Sequence, residues 1–576
     1  MEQNMEKKFS LFKNNRWLLF ATIVVSVIAQ LSLVLLALSL KSLMDAGTAM
    51  DLQALYRQIY VCLVILIAMT VFSYSASQLK NLYIYRTMRK FKEDIFEEVI
   101  HQDYVTFQKV NSGSYLSMLT SGFQKIDEEY LSSFFEIIKS GVLLVFALFS
   151  MFLSNYKLAM MIIVVCILPI AISGLFAKKM EQAQTLETIN DESYIAKVKD
   201  ILLGFLVIKS FHVEDQIKKD YMKYNEKQVK TKYSSRKITE LIIAISKMSS
   251  FSVIFVALAG GLFMVIKGNA TVGDIIAVTQ LVNFVVMPIN ELGVLMTKYK
   301  SGQTAYKNVL ASIEPKQTIK LTDKTDFVKD IRFKDVQFAY PSDEKNPVNV
   351  LKNFNFVIEK NKKYAVVGLS GSGKSTILRL LLRFFDMQKG QGTLDIDGMN
   401  IADISQESIY EMMSIIQQDV YVFDQSLRDN ITLNQEFSEE AIEEAVRLSG
   451  MKEFVSRKPL GIDMACGENG KLLSGGEKQR LSIARSLIRK TPILLMDEAT
   501  SALDQTTSFE VEQAILKIPQ LTAIVITHKL NGELLSQYDE IVVMNNGRIV
   551  EQGPFEQLLK QEGDFSKLYQ VVQLED

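Results

Sequence analysis

The sequence predicts a two-part fold: a six-span α-helical transmembrane domain followed by an α/β domain built around a phosphate-binding P-loop. Three features carry that prediction. Six uncharged apolar runs all precede Glu291, charge and hydrophobe alternate as in a soluble domain after it, and one glycine-rich loop lies between a strand-like and a helix-like stretch. A chain of 576 residues is also too long for one core, since single hydrophobic cores rarely grow past about 250–300 residues.

The spans fall at about 17–40, 58–79, 136–156, 158–177, 248–266 and 275–296. Most approach the roughly 20 residues a helix needs to cross a bilayer core. The strictly uncharged parts of the third and sixth, 140–156 and 275–290, are short, but apolar sequence continues past the flanking charges and Lys139 can snorkel. Helices buried in a soluble protein would need polar faces that these runs lack, so a lipid bilayer is the expected surrounding. Lys7, Lys8, Lys13 and Arg16 precede the first span, and the connections 80–139 and 178–247 are long and rich in Lys and Arg. The positive-inside rule puts all three in the cytosol, and an even number of spans returns the C-terminal half there. No small-residue cleavage site follows the first apolar run, so that span is expected to remain.

Both long connections have helical periodicity and no proline, so the membrane helices are expected to continue into the cytosol. An extension of about 20–25 residues reaches about 30–40 Å beyond the bilayer. The turns "VNSGSYLSMLTS" and "GFLVIKSFHVED" are then surfaces presented to something. A formal net charge of −1 gives no field that would attract nucleic acid, and none is expected as a partner. Cys62, Cys166 and Cys466 are far apart, lack metal-ligand spacing, and read as reduced core residues.

A charged linker, 304–330, separates the membrane domain, 1–303, from the second domain, 331–576. There "KKYAVVGLSGSGKSTILRLLLRFF" sets a strand, a glycine-rich loop and a helix in succession, and Gly368, Gly373, Lys374 and Ser375 fit G-x-x-x-x-G-K-[ST]. The loop from Gly368 through Leu369, Ser370, Gly371 and Ser372 to Gly373, with Lys374, Ser375 and Thr376, is the expected phosphate cradle. Backbone N–H groups curl round the β-phosphate, Lys374 reaches the β- and γ-phosphates, and Ser375 offers its hydroxyl to Mg²⁺. A second strand in "PILLMDEATSALD" carries Asp497 to the carboxyl edge of the sheet as a Mg²⁺ ligand, direct or through water, with Glu498 placed to orient or deprotonate an attacking water. A third, "LTAIVITHKL", ends in His528, which is expected to hydrogen-bond the γ-phosphate or the water.

Together with "LSGGEKQR", these residues resemble the ATP-binding cassette, and the six spans resemble the type I exporter membrane domain, that of an ABC half-transporter. "HQDYVTFQKVNSGSYLSMLTSG" looks like the first coupling region of that family, "GFLVIKSFHVE" like the second, and "GNATVGDIIA" like the start of the sixth helix. The resemblance implies that the second domain is an ATPase that uses ATP and Mg²⁺. It implies that Tyr340 stacks on adenine and that Gln418, with Gln417 beside it, contacts Mg²⁺ and water. It further implies that Asp504 communicates across the cassette interface and Glu468 touches the coupling helices. Ser474, Gly475 and Gly476 resemble the signature that binds the γ-phosphate held by the other cassette of a dimer. One chain has one phosphate loop and one signature, so a second half-transporter is implied, and alternating access follows.

Glu498, His528, Ser474 and Gly476 are all present, which favours a homodimer with two competent sites over a heterodimer. Glu477 departs from the glutamine of many relatives. The spans carry little charge, with Gln30, Gln280, Asn283 and Glu291 as the main polar positions and Pro169 and Pro288 as kink candidates. That character suits export of an apolar or amphipathic small molecule, lipid or peptide. An exporter-fold importer, for a siderophore for instance, or a membrane-bound ATP-dependent regulator would share every motif. The expected location is a bacterial plasma membrane.

Overall fold

The computed structural model describes residues 9–13, 15–109, 112–313, 321–341, 348–388 and 390–575. Lys7 and Lys8, Val110 and Asn111 of the first turn, positions 314–320 of the expected linker and the side chain of Pro169 lie outside the described residues. The chain forms two compact units, one of Met1–Gln102 and Thr106–Pro315, the other of Lys316–Asp576 together with Asp103–Val105.

The first unit is helical. Its long helices are α1 (Arg16–Thr48), α2 (Leu52–Ile100), α3 (Ser132–Ser154), α4 (Tyr156–Leu203), α5 (Glu214–Ile266) and α6 (Val272–Ala311). Among the described residues, five helical stretches are long and apolar enough to cross a membrane: Arg16–Thr48, Leu52–Ile100, Gly113–Ser154, Glu214–Ile266 and Val272–Ala311. The span expected at 158–177 falls on α4, whose described apolar part is Tyr156–Ile167. At 49, 48 and 53 residues, α2, α4 and α5 run about 70–80 Å at a rise of 1.5 Å per residue, well beyond a bilayer core. Short helices, Tyr104–Lys109 and Phe205–Ser210, form in the turns at their far ends.

Local chemistry fixes where the helices begin. Asp51 accepts from the Gln53 and Ala54 N–H groups ahead of α2, both at 3.0 Å, and Asn155 does the same for Lys157 and Leu158 ahead of α4. Thr271 and Asp274 close a capping box at the start of α6. Asp274 is buried, which would be costly for a lone carboxylate, and Lys41 of α1 lies 2.6 Å away. Asp45 of α1 accepts from the Gly273 N–H at 3.0 Å, so α1 and α6 are tied together at one end.

At the other end α6 runs to Ala311, eight residues past 303 and into the stretch expected as linker. Tyr306, Val309 and Leu310 are buried at i, i+3 and i+4, which gives the extension an apolar stripe and holds it helical. They pack with Tyr83, Phe91, Phe123, Ile126 and Tyr130 in one cluster. Two π-helical segments, Met118–Gly122 and Ile126–Leu131, precede α3, and Gly302 packs directly on the second. A Cβ at Gly302 would meet the backbone nitrogen of Tyr130 and come within 2.8 Å of the Glu129 carbonyl carbon. Cys166 and Cys466 are buried and Cys62 half-buried, all as free thiols.

The second unit has two sheets. The antiparallel one, in the order β2-β1-β4-β5, comprises β1 (Asp330–Phe338), β2 (Leu351–Glu359), β4 (Thr393–Ile396) and β5 (Met399–Asn400). The larger runs β10-β9-β3-β8-β7-β6, from β3 (Lys363–Gly368), β6 (Met413–Ile416), β7 (Ile493–Asp497), β8 (Thr522–Ile526), β9 (Glu540–Asn545) and β10 (Arg548–Gly553). All its neighbours pair in parallel except β9 and β10. β8 is buried along its whole length and β7 up to Asp497, as expected for strands covered on both faces. Parallel pairing brings the carboxyl ends of β3, β8, β7 and β6 to one edge.

Gly302→Ala forces backbone against backbone, where neither side has a side chain to yield. Thermal unfolding of the purified protein should show a loss of about 1–3 kcal/mol, and an unchanged melting temperature would show that α6 and the π segment are not in that contact.

Candidate functional site

The loop after β3 turns sharply because two of its glycines take positions closed to other residues. Gly373 has φ +99° and caps α7 (Lys374–Leu381), with its missing Cβ 3.0 Å from Leu351 Cδ2. A Cβ on Gly368, φ +149°, would meet the Met544 carbonyl oxygen. Within the turn the Lys374 ammonium is buried and donates to the Gly368 and Leu369 carbonyls at 2.8 and 3.0 Å. Burial pushes its pKa down, partly offset by the nearby Glu498 and Asp497 carboxylates. Ser372 Oγ is buried with no hydrogen-bond partner among the described residues. Leu369, Ser370 and Gly371 are exposed.

Neighbouring strands deliver the other groups to the same edge. Ser375 Oγ donates to Asp497 Oδ1 at 3.0 Å, and burial pushes the Asp497 pKa up against that hydrogen bond. Glu498 follows β7 with φ +48°, a left-handed conformation that is uncommon for a residue with a side chain. Its N–H donates to the Ile526 carbonyl at 3.1 Å. Its Oε1 lies 3.0 Å from His528 Nε2 and its Oε2 accepts from Gln418 Nε2 at 3.0 Å. Gln418 rather than Gln417 makes that contact, and among the described residues no hydrogen bond joins Gln418 to Ser375 or Asp497. Tyr340 packs edge-on to Phe338 and Phe385, shares a hydrogen bond with Thr376 Oγ1 at 2.9 Å, and lies beneath the Arg379 guanidinium.

The remaining predicted positions stand apart from this cluster. Ser474 caps α9 (Gly475–Leu487), which follows α8 (Glu439–Leu448) in the chain, with Ser474 and Gly475 exposed. Asp504 caps α10 (Gln505–Leu516), accepting from the Thr507 N–H at 2.9 Å. Among the described residues no hydrogen bond or ion pair joins Ser474, Gly475, Gly476 or Asp504 to the phosphate loop. Glu477 has a clear local part: its carboxylate accepts from the Ser474 N–H at 2.7 Å while its own N–H donates to Ser474 Oγ, a closed capping box. Glu468 is exposed in a short turn tied to α9 by Lys478, which donates to the Asn469 carbonyl at 2.7 Å.

The sequence model for the ABC transporter transmembrane region matches residues 18–289, and that for the ABC transporter ATPase region, described as "ABC transporter", matches 351–501. The uncharacterized ABC transporter ATP-binding protein YwjA of Bacillus subtilis is 32% identical over 487 residues, 83% of each chain. The chain belongs to the ABC transporter family. The ATP-dependent lipid A-core flippase of Salmonella typhimurium is 28% identical over 95% of each chain. A solved structure of a bacterial Atm1-family ABC exporter with ATP bound superposes with a TM-score of 0.82 at 24% identity, over 96% of this chain and 98% of that one, and shares its fold. This ABC transporter therefore binds nucleotide in its second unit, is a multi-pass membrane protein, and couples ATP hydrolysis to transport.

The donor set fits a magnesium ion as well as a nucleotide. Mg²⁺ takes oxygen ligands, commonly one or two carboxylates with phosphate and water. The Ser375 hydroxyl and Asp497 carboxylate form such a pair, and among the described residues no larger His, Cys, Asp or Glu cluster offers a full protein cage.

Since a glutamine side-chain oxygen accepts as a glutamate oxygen does, Glu477→Gln should leave thermal stability unchanged, whereas Glu477→Ala opens the box and costs about 1 kcal/mol. Equal losses for both variants in a melting experiment would show that charge, not the cap, is what Glu477 contributes.

Proposed function

We propose that the chain forms a homodimeric exporter with two equivalent ATP sites, each built from the phosphate loop of one chain and the signature of its partner. The observation that carries this reading is the clamping of Glu498 between His528 Nε2 and Gln418 Nε2, each at 3.0 Å, at the strand edge that also presents the phosphate loop. The exposed, capped start of α9, which among the described residues makes no hydrogen bond or ion pair to its own chain's phosphate loop, supports the second half of the claim.

In this reading the backbone N–H groups of 368–376 and the Lys374 ammonium hold the β- and γ-phosphates. Tyr340 stacks on the adenine. Ser375, Asp497 and Gln418 hold Mg²⁺, which when bound neutralises phosphate charge. Glu498 accepts the proton of the attacking water, and His528 and Gln418 fix its carboxylate in place. Ser474, Gly475 and Gly476 point backbone N–H groups and the positive end of α9 at the partner-held γ-phosphate. Asp504, at the start of α10, meets the partner across the same interface. ATP favours the closed cassette pair because only that form completes both sites, which is the differential affinity a population shift requires.

The turns carrying Tyr104–Lys109 and Phe205–Ser210 transmit closure to the membrane helices, a role supported by the resemblance of both turns to the family's coupling regions. The N-terminus and the second unit face the cytosol of a bacterial cell, on the basic residues of the N-terminal tail and long connections. The cargo is apolar or amphipathic. Long apolar helices with exposed Gln280, Asn283 and Glu291 on α6, and a relative named as a lipid A-core flippase, support this.

Glu498→Gln should lower ATP turnover by about 10²–10⁴-fold while nucleotide still binds; retained turnover removes Glu498 from the mechanism. The purified chain in lipid nanodiscs should hold two 65.2 kDa copies and hydrolyse ATP unaided. Inactive monomer until a second gene product is added would replace the homodimer with a heterodimer. Inverted vesicles should accumulate a lipid-like probe on ATP addition, and ATP-driven loss of preloaded probe would reverse the direction.

A further inference from the structure

The loop 498–504 joins Glu498 to Asp504 and is held from two sides, by a buried side chain and a half-buried one that the reaction itself does not use. From α9, Gln479 is 2% exposed. Its Nε2 donates to the Glu498 carbonyl and to Ser501 Oγ, both at 3.3 Å, and its Oε1 accepts from the Ala502 N–H at 2.9 Å. From the loop after β8, Lys529 follows His528 directly. Its ammonium donates to the Thr500 and Leu503 carbonyls and to Ser508 Oγ, at 2.8, 3.2 and 3.3 Å. Behind it, Glu512 is 4% exposed and accepts from Tyr538 Oη at 2.6 Å.

These contacts matter because Glu498 sits at φ +48°, a conformation that persists only when the surroundings over-determine it. The Ile526 carbonyl holds its N–H and Gln479 holds its carbonyl. We propose that Gln479 and Lys529 are positioning residues that set the Glu498 carboxylate by fixing the loop 498–504, and that Gln479 links the chain's two half-sites. This rests on the reading that the signature serves the partner's nucleotide. α9 presents the signature to one ATP site, while Glu498 works in the other. A shift of α9 on γ-phosphate binding reaches Glu498 through one glutamine side chain, five residues from Ser474. Lys529 gives the His528 end of β8 the same grip on the loop.

The test uses the full chain in nanodiscs. Gln479→Leu keeps most of the volume and removes all three hydrogen bonds. It should lower kcat about tenfold, the rate equivalent of one or two buried hydrogen bonds. The affinity for a fluorescent ATP analogue should change less than about twofold, and the ATP dependence of hydrolysis, cooperative in the wild type, should become hyperbolic. Unchanged kcat and cooperativity, a hyperbolic wild-type curve, or a fall in analogue affinity matching the fall in kcat would overturn the proposal. If Gln479→Leu does not fold, the Lys529 pair decides: Lys529→Arg should keep most of kcat and Lys529→Met should lose it at unchanged analogue affinity, and equal rates for the two would overturn it. Ser474→Arg separates the levels. Abolished hydrolysis there beside a normal Gln479→Leu sinks only the link, whereas normal hydrolysis in Ser474→Arg sinks the shared-site reading itself.

Discussion

The backbone of Glu498 is the constraint on which the candidate ATP site depends. At φ +48° it occupies a conformation that costs of order 1–3 kcal/mol, so neighbouring groups must supply what holds it. The Ile526 carbonyl takes its N–H, Gln479 reaches its carbonyl, and His528 and Gln418 hold its two carboxylate oxygens. Each of those partners comes from a different element: β8, α9, the loop after β8 and the loop after β6. The parallel order β3-β8-β7-β6 is what allows them to converge, since it sets four strand ends along one edge. The fold itself thereby aims the carboxylate, and the proposed role of Glu498 draws on the principle that an oriented group stabilises a transition state without reorganising.

Much of this was legible in the sequence because the relevant signals are local. The phosphate loop is a contiguous pattern, and a run such as "ILLMD" states both a buried strand and the acid at its end. The long membrane helices were equally plain, being set by apolar runs followed by proline-free periodic stretches. What stayed hidden is long-range. Gln479 and Lys529 look like ordinary polar residues of a helix and a loop, and only folding brings them to the same loop from opposite sides. The π segments before α3 and the extension of α6 to Ala311 were also unreadable. The first needs the close approach of Gly302, and the second needs a tyrosine cluster contributed by distant helices.

Glu477 shows how a departure from a motif can be conservative in physical terms. Its carboxylate accepts the Ser474 N–H and so completes a cap that a glutamine oxygen would also complete. The substitution therefore keeps the start of α9 capped and ordered. In the membrane unit a comparable economy holds α1 to α6. Lys41, Asp45, Gly273 and the Thr271–Asp274 cap satisfy one another at a single corner. A buried carboxylate there is tolerable because it caps a helix and pairs with a lysine at once.

The central claim is that neither chain holds a complete ATP site. Disulfide trapping tests it directly, because a disulfide needs Cα atoms within about 7 Å. In a background with Cys62, Cys166 and Cys466 replaced and Glu498 changed to Gln, cysteines placed at Ser370 and Ser474 should form an ATP-dependent bond between chains, giving a dimer under oxidising conditions. Failure to cross-link with ATP, or a bond formed only within one chain, would contradict the shared site.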